Sequence, residues 1–380
     1  MINICHISGT TSLGGGPEHL FQLLKHCNKN HFSSIICTRQ DGPYWEKFQQ
    51  LDIPLHPFTL RELSVSSFVS LYRFLKKERP QLIHTHGKGP GLYGRIIGKI
   101  LGIPTIHTFH GFHYDDIQPI KRCLHLFIEN ILCRLTDHHI FVGETEKKRA
   151  QIISGLNEMN SSVIPNGVDS VSIQSLRVDK TKLLRDTGLE HFNNKRILGV
   201  ISRISPEKGI SQLLERFAET REQQPEWKLM IVGGFPEEHQ PYKEKILKLV
   251  RELKLEPDIA LPGFREDAMQ FLKCFDLFIS PSLSEGLPLA LLEAISVGTL
   301  VIASNIPGNR EVLGDPPCGL IFSPETPHSL STALNEYDKL SKNDIDRLKN
   351  RALLRVRTEF SALEMAKKTY ALYQKVINDK

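Results

Sequence analysis

The chain has 380 residues, 40% hydrophobic and 24% charged, the composition of a globular protein too long for one ordinary core, so two domains are expected. Its net charge is only +5, with 18 Lys+Arg against 13 Asp+Glu in residues 1–168 and 30 of each in 169–380, so the whole excess lies in the first part together with 13 of the 16 histidines. A modest excess without a binding motif argues against nucleic acid; LPLALLEAISVGTLVIAS is interrupted by Glu293 and Gly298 and is no membrane span; seven scattered cysteines without C-x-x-C spacing argue against disulfides and zinc and for free thiols in a reducing cytoplasm.

The N-terminus, MINICHISGT, has no charged leader before a long apolar run and reads as a first strand rather than a signal peptide. In chain order, 2–7 is a strand, followed by a glycine-rich loop and a helix over 17–27. Strands follow at 33–38 and 81–86, a helix near 90–101, and strands at 104–109, 137–142 and 161–165. IPNGVD (164–169) is a turn-rich break and the expected domain junction. The alternation then restarts: strand 196–202, helix 208–219, strand 227–233, helix 242–254, strand 258–263, helix 265–274 and strand 275–281. A helix opened by Pro288 and a strand at 299–304 come next, and residues 330–380 read as a charged helical tail. Strands alternating with helices across short loops imply parallel sheets covered on both faces, here two doubly wound α/β domains in tandem. Ligands of such sheets lie beyond the carboxyl ends of the strands, and between two domains the natural place is the cleft.

Four segments at predicted strand ends or helix starts carry chemistry. In SEGLPLALLEA (284–294), Gly286 permits close backbone approach and Pro288 suits a first helical turn. The helix N-terminus favours phosphate, and Glu285 and Glu293, as pure acceptors, suit the hydroxyls of a sugar or ribose. The alternative is an N-terminal charge and a surface glutamate. In SRISPEKG (202–209), Arg203 follows a strand and Lys208 opens a helix, a forked and a point-like cation suited to a diphosphate or to ordinary surface charge. SLGGGPEH (12–19) puts Gly14, Gly15 and Gly16 before a helix, in neither a dinucleotide nor a Walker pattern. HTFHG (107–111), with HTHG (84–87) nearby in strand order, places histidines beside glycine; alternation sends His107 and His110 to opposite faces, so one of them is expected to be functional.

Taken together, these segments, with IPNGVD, VGG (232–234) and LPGF (261–264), resemble the retaining glycosyltransferases of the GT-B fold, family 4, over nearly the whole chain. The resemblance implies two Rossmann-like domains facing each other across a deep cleft. An acceptor-binding domain would span 1–168, with the C-terminal helix 361–380 crossing back onto it, and a donor-binding domain 169–360. It implies that Arg203 and Lys208 bind the donor diphosphate, Glu285 the sugar hydroxyls and Glu293 the ribose. Gly286, Leu287, Pro288 and Leu289 would meet the sugar and phosphate through backbone groups. Gly15 and Gly16 would approach the diphosphate, His110 would contact the donor sugar, and Gly263, Phe264 and Arg265 would surround the base. No metal or other cofactor is implied, and DID (344–346) reads as surface. FVGETE (141–146) departs from the family, leaving Glu144 as an acceptor-side group or a helix cap.

The expected activity is metal-independent transfer of a sugar from a nucleoside-diphosphate donor, UDP first, to a carbohydrate or lipid-linked acceptor in cell-envelope polysaccharide or glycolipid synthesis. The basic clusters 73–79 and 146–150 suggest a cytoplasmic enzyme held peripherally on an anionic inner-membrane surface. A sugar-nucleotide 2-epimerase and a non-catalytic nucleotide-sugar-binding subunit are the alternatives.

Overall fold

The computed structural model describes residues 1–58, 64–111, 118–236 and 239–379. The chain divides into two units, Met1–Gly167 with Phe360–Lys380, and Val168–Glu359.

The first unit holds strands β1 (Ile2–Ser8), β2 (Phe32–Thr38), β3 (Leu55–Pro57), β4 (Leu82–His86), β5 (Thr105–Phe109), β6 (His138–Phe141) and β7 (Ser161–Val163). They form one sheet in the order β3-β2-β1-β4-β5-β6-β7, with every pairing parallel. The order reverses direction between β1 and β4, the topological switch point of a doubly wound sheet. Its helices are α1 (Gly15–Lys25), α2 (Tyr44–Gln49), α3 (Val65–Glu78), α4 (Lys88–Leu101), α5 (Pro119–Arg134), α6 (Glu144–Ala150) and, returning from the far end of the chain, the last helix, Ala362–Asn378.

Both faces of this sheet are buried, as parallel sheets require. Leu20, Leu23 and Leu24 of α1 pack with Met365, Ala366, Tyr370 and Tyr373 of the last helix on one face. Leu71, Leu75, Tyr93 and Ile97 of α3 and α4 cover the other. The glycines of GLYGRIIG explain how closely α4 lies: a Cβ at Gly94 would stand 2.3 Å from Thr85 Cγ2, and one at Gly98 2.1 Å from Thr105 Oγ1. Gly167 has the same role where the chain returns, since a Cβ there would stand 2.5 Å from the Ser361 and Ala362 backbone.

The second unit holds α7 (Ser170–Ser175), α8 (Lys180–Asp186), β8 (Arg196–Ile201), α9 (Ile210–Arg221), β9 (Trp227–Val232), α10 (Gln240–Glu252), β10 (Ile259–Gly263) and α11 (Ala268–Phe271). It continues with β11 (Leu277–Ser280), α12 (Leu289–Ser296), β12 (Leu300–Ser304), α13 (Pro307–Leu313), β13 (Leu320–Phe322), α14 (Ser329–Lys339) and α15 (Lys342–Glu359); the last helix of the chain is α16. The six parallel strands run β10-β9-β8-β11-β12-β13, so a second switch point lies between β8 and β11. Leu198, Val200, Leu229, Ile231, Leu277 and Ile279 from the central strands meet Ile210, Leu213, Leu214 and Phe217 of α9 in its core.

Three details differ from the sequence expectations. Helix α1 starts at Gly15, so Gly15 and Gly16 form its first turn rather than a loop. Lys208 closes a one-turn 3-10 segment (Pro206–Lys208), and α9 begins only after Gly209 has taken φ +66°. The helix expected over 265–274 starts at Ala268 because Arg265 is forked onto Asp267 at 2.8 and 2.9 Å, which holds the preceding residues in a loop. The three-residue edge strands β3 and β13 were not among the expectations, whereas the equally short edge strand β7 was.

Candidate active site

In the second unit, four of the singled-out segments meet at the carboxyl ends of the strands. Ser202 N–H donates to Val232 O at 3.1 Å and Ile204 N–H to Gly234 O at 2.9 Å, joining the Arg203 loop to the VGG loop. Gly233 N–H donates to Gly263 O at 2.9 Å, joining VGG to PGF. The approach is backbone on backbone: a Cβ at Gly233 would fall 1.7 Å from Ser202 O. A Cβ at Gly234 would stand 3.3 Å from Phe264 Cβ, beside a ring that is itself half-exposed. On the other side Leu283 N–H donates to Glu207 O at 2.9 Å, and Gly209 lies against Pro281, whose carbonyl oxygen would be 2.1 Å from an added Cβ. Arg203, Lys208, Gly263, Phe264 and Glu285, far apart in sequence, thus share one rim.

Across the second switch point Lys208 Nζ donates to Glu285 Oε1 at 2.6 Å, with side chains 18% and 16% exposed. Ser282 Oγ donates to the same oxygen at 2.7 Å. Arg203 is half-exposed and reaches Glu207 Oε1 at 3.5 Å. Burial pushes the Glu207 carboxyl up, but the Ser205 hydroxyl at 2.6 Å, a backbone N–H, Arg203 and Lys208 outweigh it and hold the group below its ordinary range. The result is a cationic corner whose positive charge is partly met by two glutamates.

The loop 281–288 leads from that corner into α12. Pro288 is its N-cap, with extended backbone at ψ 107°, and Leu289 is the first helical residue. Gly286, Leu287, Pro288 and Leu289 are buried. On α12 itself only Ala290 and Glu293 are partly open, three residues apart and therefore on one stripe. Glu293 thus sits on the single wet edge of an otherwise buried helix. Beneath the loop is a polar network that no local pattern of residues marks out. Asn309, fully buried, donates through Nδ2 to Ser304 O at 3.0 Å and Ser304 Oγ at 2.8 Å, and accepts from Ser280 Oγ at 3.3 Å. Ser304 Oγ in turn donates to Ser282 O at 2.5 Å. Gly308 lets α13 start against the loop, where a Cβ would stand 2.6 Å from Gly286 O. A serine or asparagine one strand away has no local spacing signal that ties it to Glu285.

In the first unit the strand ends at the β1–β4 switch point are lined by histidine. His6 (β1), His84 and His86 (β4), His19 (α1) and His110 (after β5) form a contiguous group. His86 lies between two others, Nε2 at 3.5 Å from His6 Nδ1 and Nδ1 at 3.3 Å from His110 Nε2. His84 is bonded to Tyr373 Oη and Thr108 Oγ1, and His19 Nδ1 to Asn166 Oδ1 at 2.9 Å. Gly16 lies beside His110, 3.7 Å from its Cδ2 to an ideal Cβ. His107 points to the opposite face, bonded to Thr85 Oγ1 at 2.8 Å, and His110 to the α1 side. Burial, reinforced by neighbouring imidazoles, lowers the pKa of His6 to about 3 and holds His84, His86 and His110 well below the ordinary range. Burial lowers His19 to about 4 against the opposing bond from Asn166. At neutral pH these imidazoles are uncharged donors and acceptors. Glu144 is the first residue of α6 and exposed, and the acidic pair Asp344 and Asp346 lies in the first turns of α15, where Asp344 pairs with Arg347.

Residues 13–171 match the family model described as Glycosyltransferase Family 4, and residues 185–353 the model described as Glycosyl transferases group 1. The chain belongs to the group 1 glycosyltransferases of family 4. This glycosyltransferase is 28% identical over 321 residues to the UDP-Gal:alpha-D-GlcNAc-diphosphoundecaprenol alpha-1,3-galactosyltransferase of Escherichia coli, covering 81% of each chain. It is 26% identical to the alpha-monoglucosyldiacylglycerol synthase of Streptococcus pneumoniae, over 79% of this chain and 69% of that one. Its fold matches Anabaena HepE, solved in complex with UDP and glucose, with a TM-score of 0.85 at 19% identity over 99% of this chain and 100% of the other. Two Rossmann-like sheets of seven and six strands make this the GT-B fold.

Proposed function

We propose that this glycosyltransferase is a retaining enzyme that moves a sugar from a UDP-sugar to a hydroxyl of a lipid-linked or glycolipid acceptor in envelope polysaccharide or glycolipid synthesis. The observation that carries the reading is the Lys208–Glu285 contact of 2.6 Å with Arg203 beside it, at the switch point and ahead of α12. Arg203 and Lys208 hold the diphosphate, and the N-terminus of α12 with the backbone of Gly286, Leu287 and Leu289 completes its cradle. Glu285, oriented by Lys208 and Ser282, accepts from the sugar hydroxyls, and Glu293 on the wet stripe accepts from the ribose. Gly263, Phe264 and Arg265 supply the base site.

In this reading the bond from the anomeric carbon to the diphosphate oxygen breaks. The acceptor oxygen then bonds to that carbon from the same face, and the departing diphosphate takes the acceptor's proton. The charge that develops on the leaving oxygen is met by Arg203 and Lys208, so this step uses no metal. The E. coli relative is named for a UDP-Gal donor and a diphosphoundecaprenol acceptor, and the pneumococcal one for a diacylglycerol product; both favour a lipid acceptor. A membrane surface is further supported by α5. Ile120, Leu124, Phe127 and Ile131, at spacings of four, three and four, are 86%, 59%, 63% and 44% exposed on one stripe, beside exposed Lys121 and Arg134. No helix among the described residues is long and apolar enough to cross a membrane.

The test is thermal shift and product analysis with UDP-, GDP- and ADP-sugars, with and without EDTA. The expected result is stabilisation by one UDP-sugar, slow release of UDP, no effect of EDTA, and a product whose anomeric configuration by NMR equals the donor's. Preference for GDP or ADP, inversion, or a need for added divalent cation each contradicts the corresponding part of the proposal.

A further inference from the structure

Three imidazoles in the first unit are arranged as ligands. One ring nitrogen from each of His19, His86 and His110 can be chosen so that all three lie within 4.8 Å of one another. His86 Nδ1 and His110 Nε2 are 3.3 Å apart, close to the about 3.4 Å separating two nitrogens at about 2.05 Å from a tetrahedral zinc ion. His19 contributes a third nitrogen: its Nε2 is buried and without a hydrogen-bond partner among the described residues. Its Nδ1 is held by Asn166 Oδ1 at 2.9 Å. An amide oxygen only accepts, so this bond places the His19 proton on Nδ1 and leaves the lone pair on Nε2.

The rest of the proton arrangement follows. If His86 carries its proton on Nε2, toward His6 Nδ1 at 3.5 Å, its Nδ1 is also bare. If His110 carries its proton on Nδ1, its Nε2 is bare. Two of the three ligands then donate their remote N–H to an oriented acceptor, the outer-shell pattern that fixes metal-binding histidines. In a metal-free cluster one of the two facing nitrogens of His86 and His110 must instead bear a proton. A second grouping, His6 with His84 and His86, is equally tight. His84, however, already spends both nitrogens on Tyr373 and Thr108 and would have to give one up.

We infer that His19, His86 and His110 form a binding site for a zinc-class divalent transition metal, with three imidazole ligands and a fourth position open to water. The metal ties α1 to the ends of β4 and β5. All-nitrogen ligation selects zinc, copper, nickel or cobalt over magnesium or calcium. The site includes none of the cations of the second unit but shares His110 with the donor-sugar contact that the family resemblance implies, so its test reads metal binding directly rather than transfer.

The test uses the full chain with any affinity tag removed, stripped with chelator and dialysed, then titrated with cobalt(II) and zinc(II). The expected result is one equivalent per chain by elemental analysis, a cobalt d–d spectrum of tetrahedral intensity that zinc displaces, and a raised Tm. His19→Gln and His110→Gln, each confirmed as folded by circular dichroism, should weaken binding at least tenfold, whereas His191→Gln in the second unit should not. His86→Gln should abolish the spectrum if it folds; the other two variants decide the matter if it does not. Absence of binding by the stripped wild type at equimolar metal in the tens of micromolar range overturns the inference. So does wild-type binding by His19→Gln and His110→Gln, including the case where only His84→Gln removes it.

Discussion

The salt bridge between Lys208 and Glu285 is placed to serve a negative charge more than to hold the unit together. Both side chains are partly wet, and Glu285 keeps a bond from Ser282 when the lysine is removed. Lys208→Ala should therefore cost only about 1 kcal/mol of stability, the range of a partly exposed pair. If its ammonium meets charge on the leaving diphosphate, turnover should fall about 100-fold or more, the loss seen when one preorganised stabilising donor is removed. Parallel denaturation and steady-state kinetics check both numbers; wild-type turnover would reject the role. At this scale the sequence was informative about residue types and turns: Arg203, Lys208 and Glu285 stand out because each lies at a strand end or beside a helix start, and Glu293 because it interrupts the apolar run of α12. Their mutual contacts were not, because 77 residues separate Lys208 from Glu285 and only the strand order joins them. Ser282, Ser304 and Asn309 were invisible for the same reason, being ordinary polar residues until the fold stacks them under one loop.

Between elements, α4 and α5 are joined by a fully desolvated ion pair. Arg95 is wholly buried, donates Nη1 and Nη2 to the two carboxylate oxygens of Glu129 at 2.9 and 3.1 Å, and donates Nε to Gly91 O at 2.8 Å. Glu129 lies on the inner side of α5, opposite the exposed Ile120–Leu124–Phe127–Ile131 stripe. Glu129→Ala leaves a buried guanidinium without its counter-ion and should cost about 3–5 kcal/mol. The double replacement Arg95→Met with Glu129→Leu should cost clearly less, because it removes both charges and keeps the volume. Urea denaturation of the three chains measures this, and an equal loss in both variants would show that shape, not charge, governs the contact. The helix α5 was not among the sequence expectations: its period is confused because both its faces carry large apolar residues, one turned to the unit and one to solvent. Strands β1, β2 and β4 to β12 were legible, most of them because a strand buried on both faces is a short apolar run between turns. Helix starts were shifted by one to three residues wherever a glycine or a local ion pair set the first turn, as at Gly15, Gly209 and Arg265.

For the whole molecule, the uneven placement of histidine predicts uneven behaviour in acid. The first unit carries the buried imidazoles; the second carries only His191, His239 and His328. Burial, as the leading cause, lowers His6 and His139 to about 3 and His19 to about 4. In the unfolded chain each takes up a proton near its ordinary pKa of about 6.5. Between that value and the folded pKa the unfolded state binds more protons, so folding stability falls as pH falls. The stability is fully present above about pH 6.5, and each such histidine removes on the order of 1 kcal/mol per pH unit below it until the folded pKa is reached. The loss must be borne by the seven-stranded sheet, because His6 stands in β1 and His139 in β6, while the six-stranded sheet has no buried histidine to protonate. Hydrogen exchange between pH 7 and pH 4.5 should therefore show protection collapsing first in β1, β4, β5 and β6, with β8, β9 and β11 holding. Bound zinc at His19, His86 and His110 would oppose this collapse above the pH at which protons displace it, so the same experiment with and without metal separates proton uptake by free imidazoles from competition for the ligands. Uniform loss of protection in both sheets, or none in the first, would mean that the buried histidines do not control the acid limit of the fold.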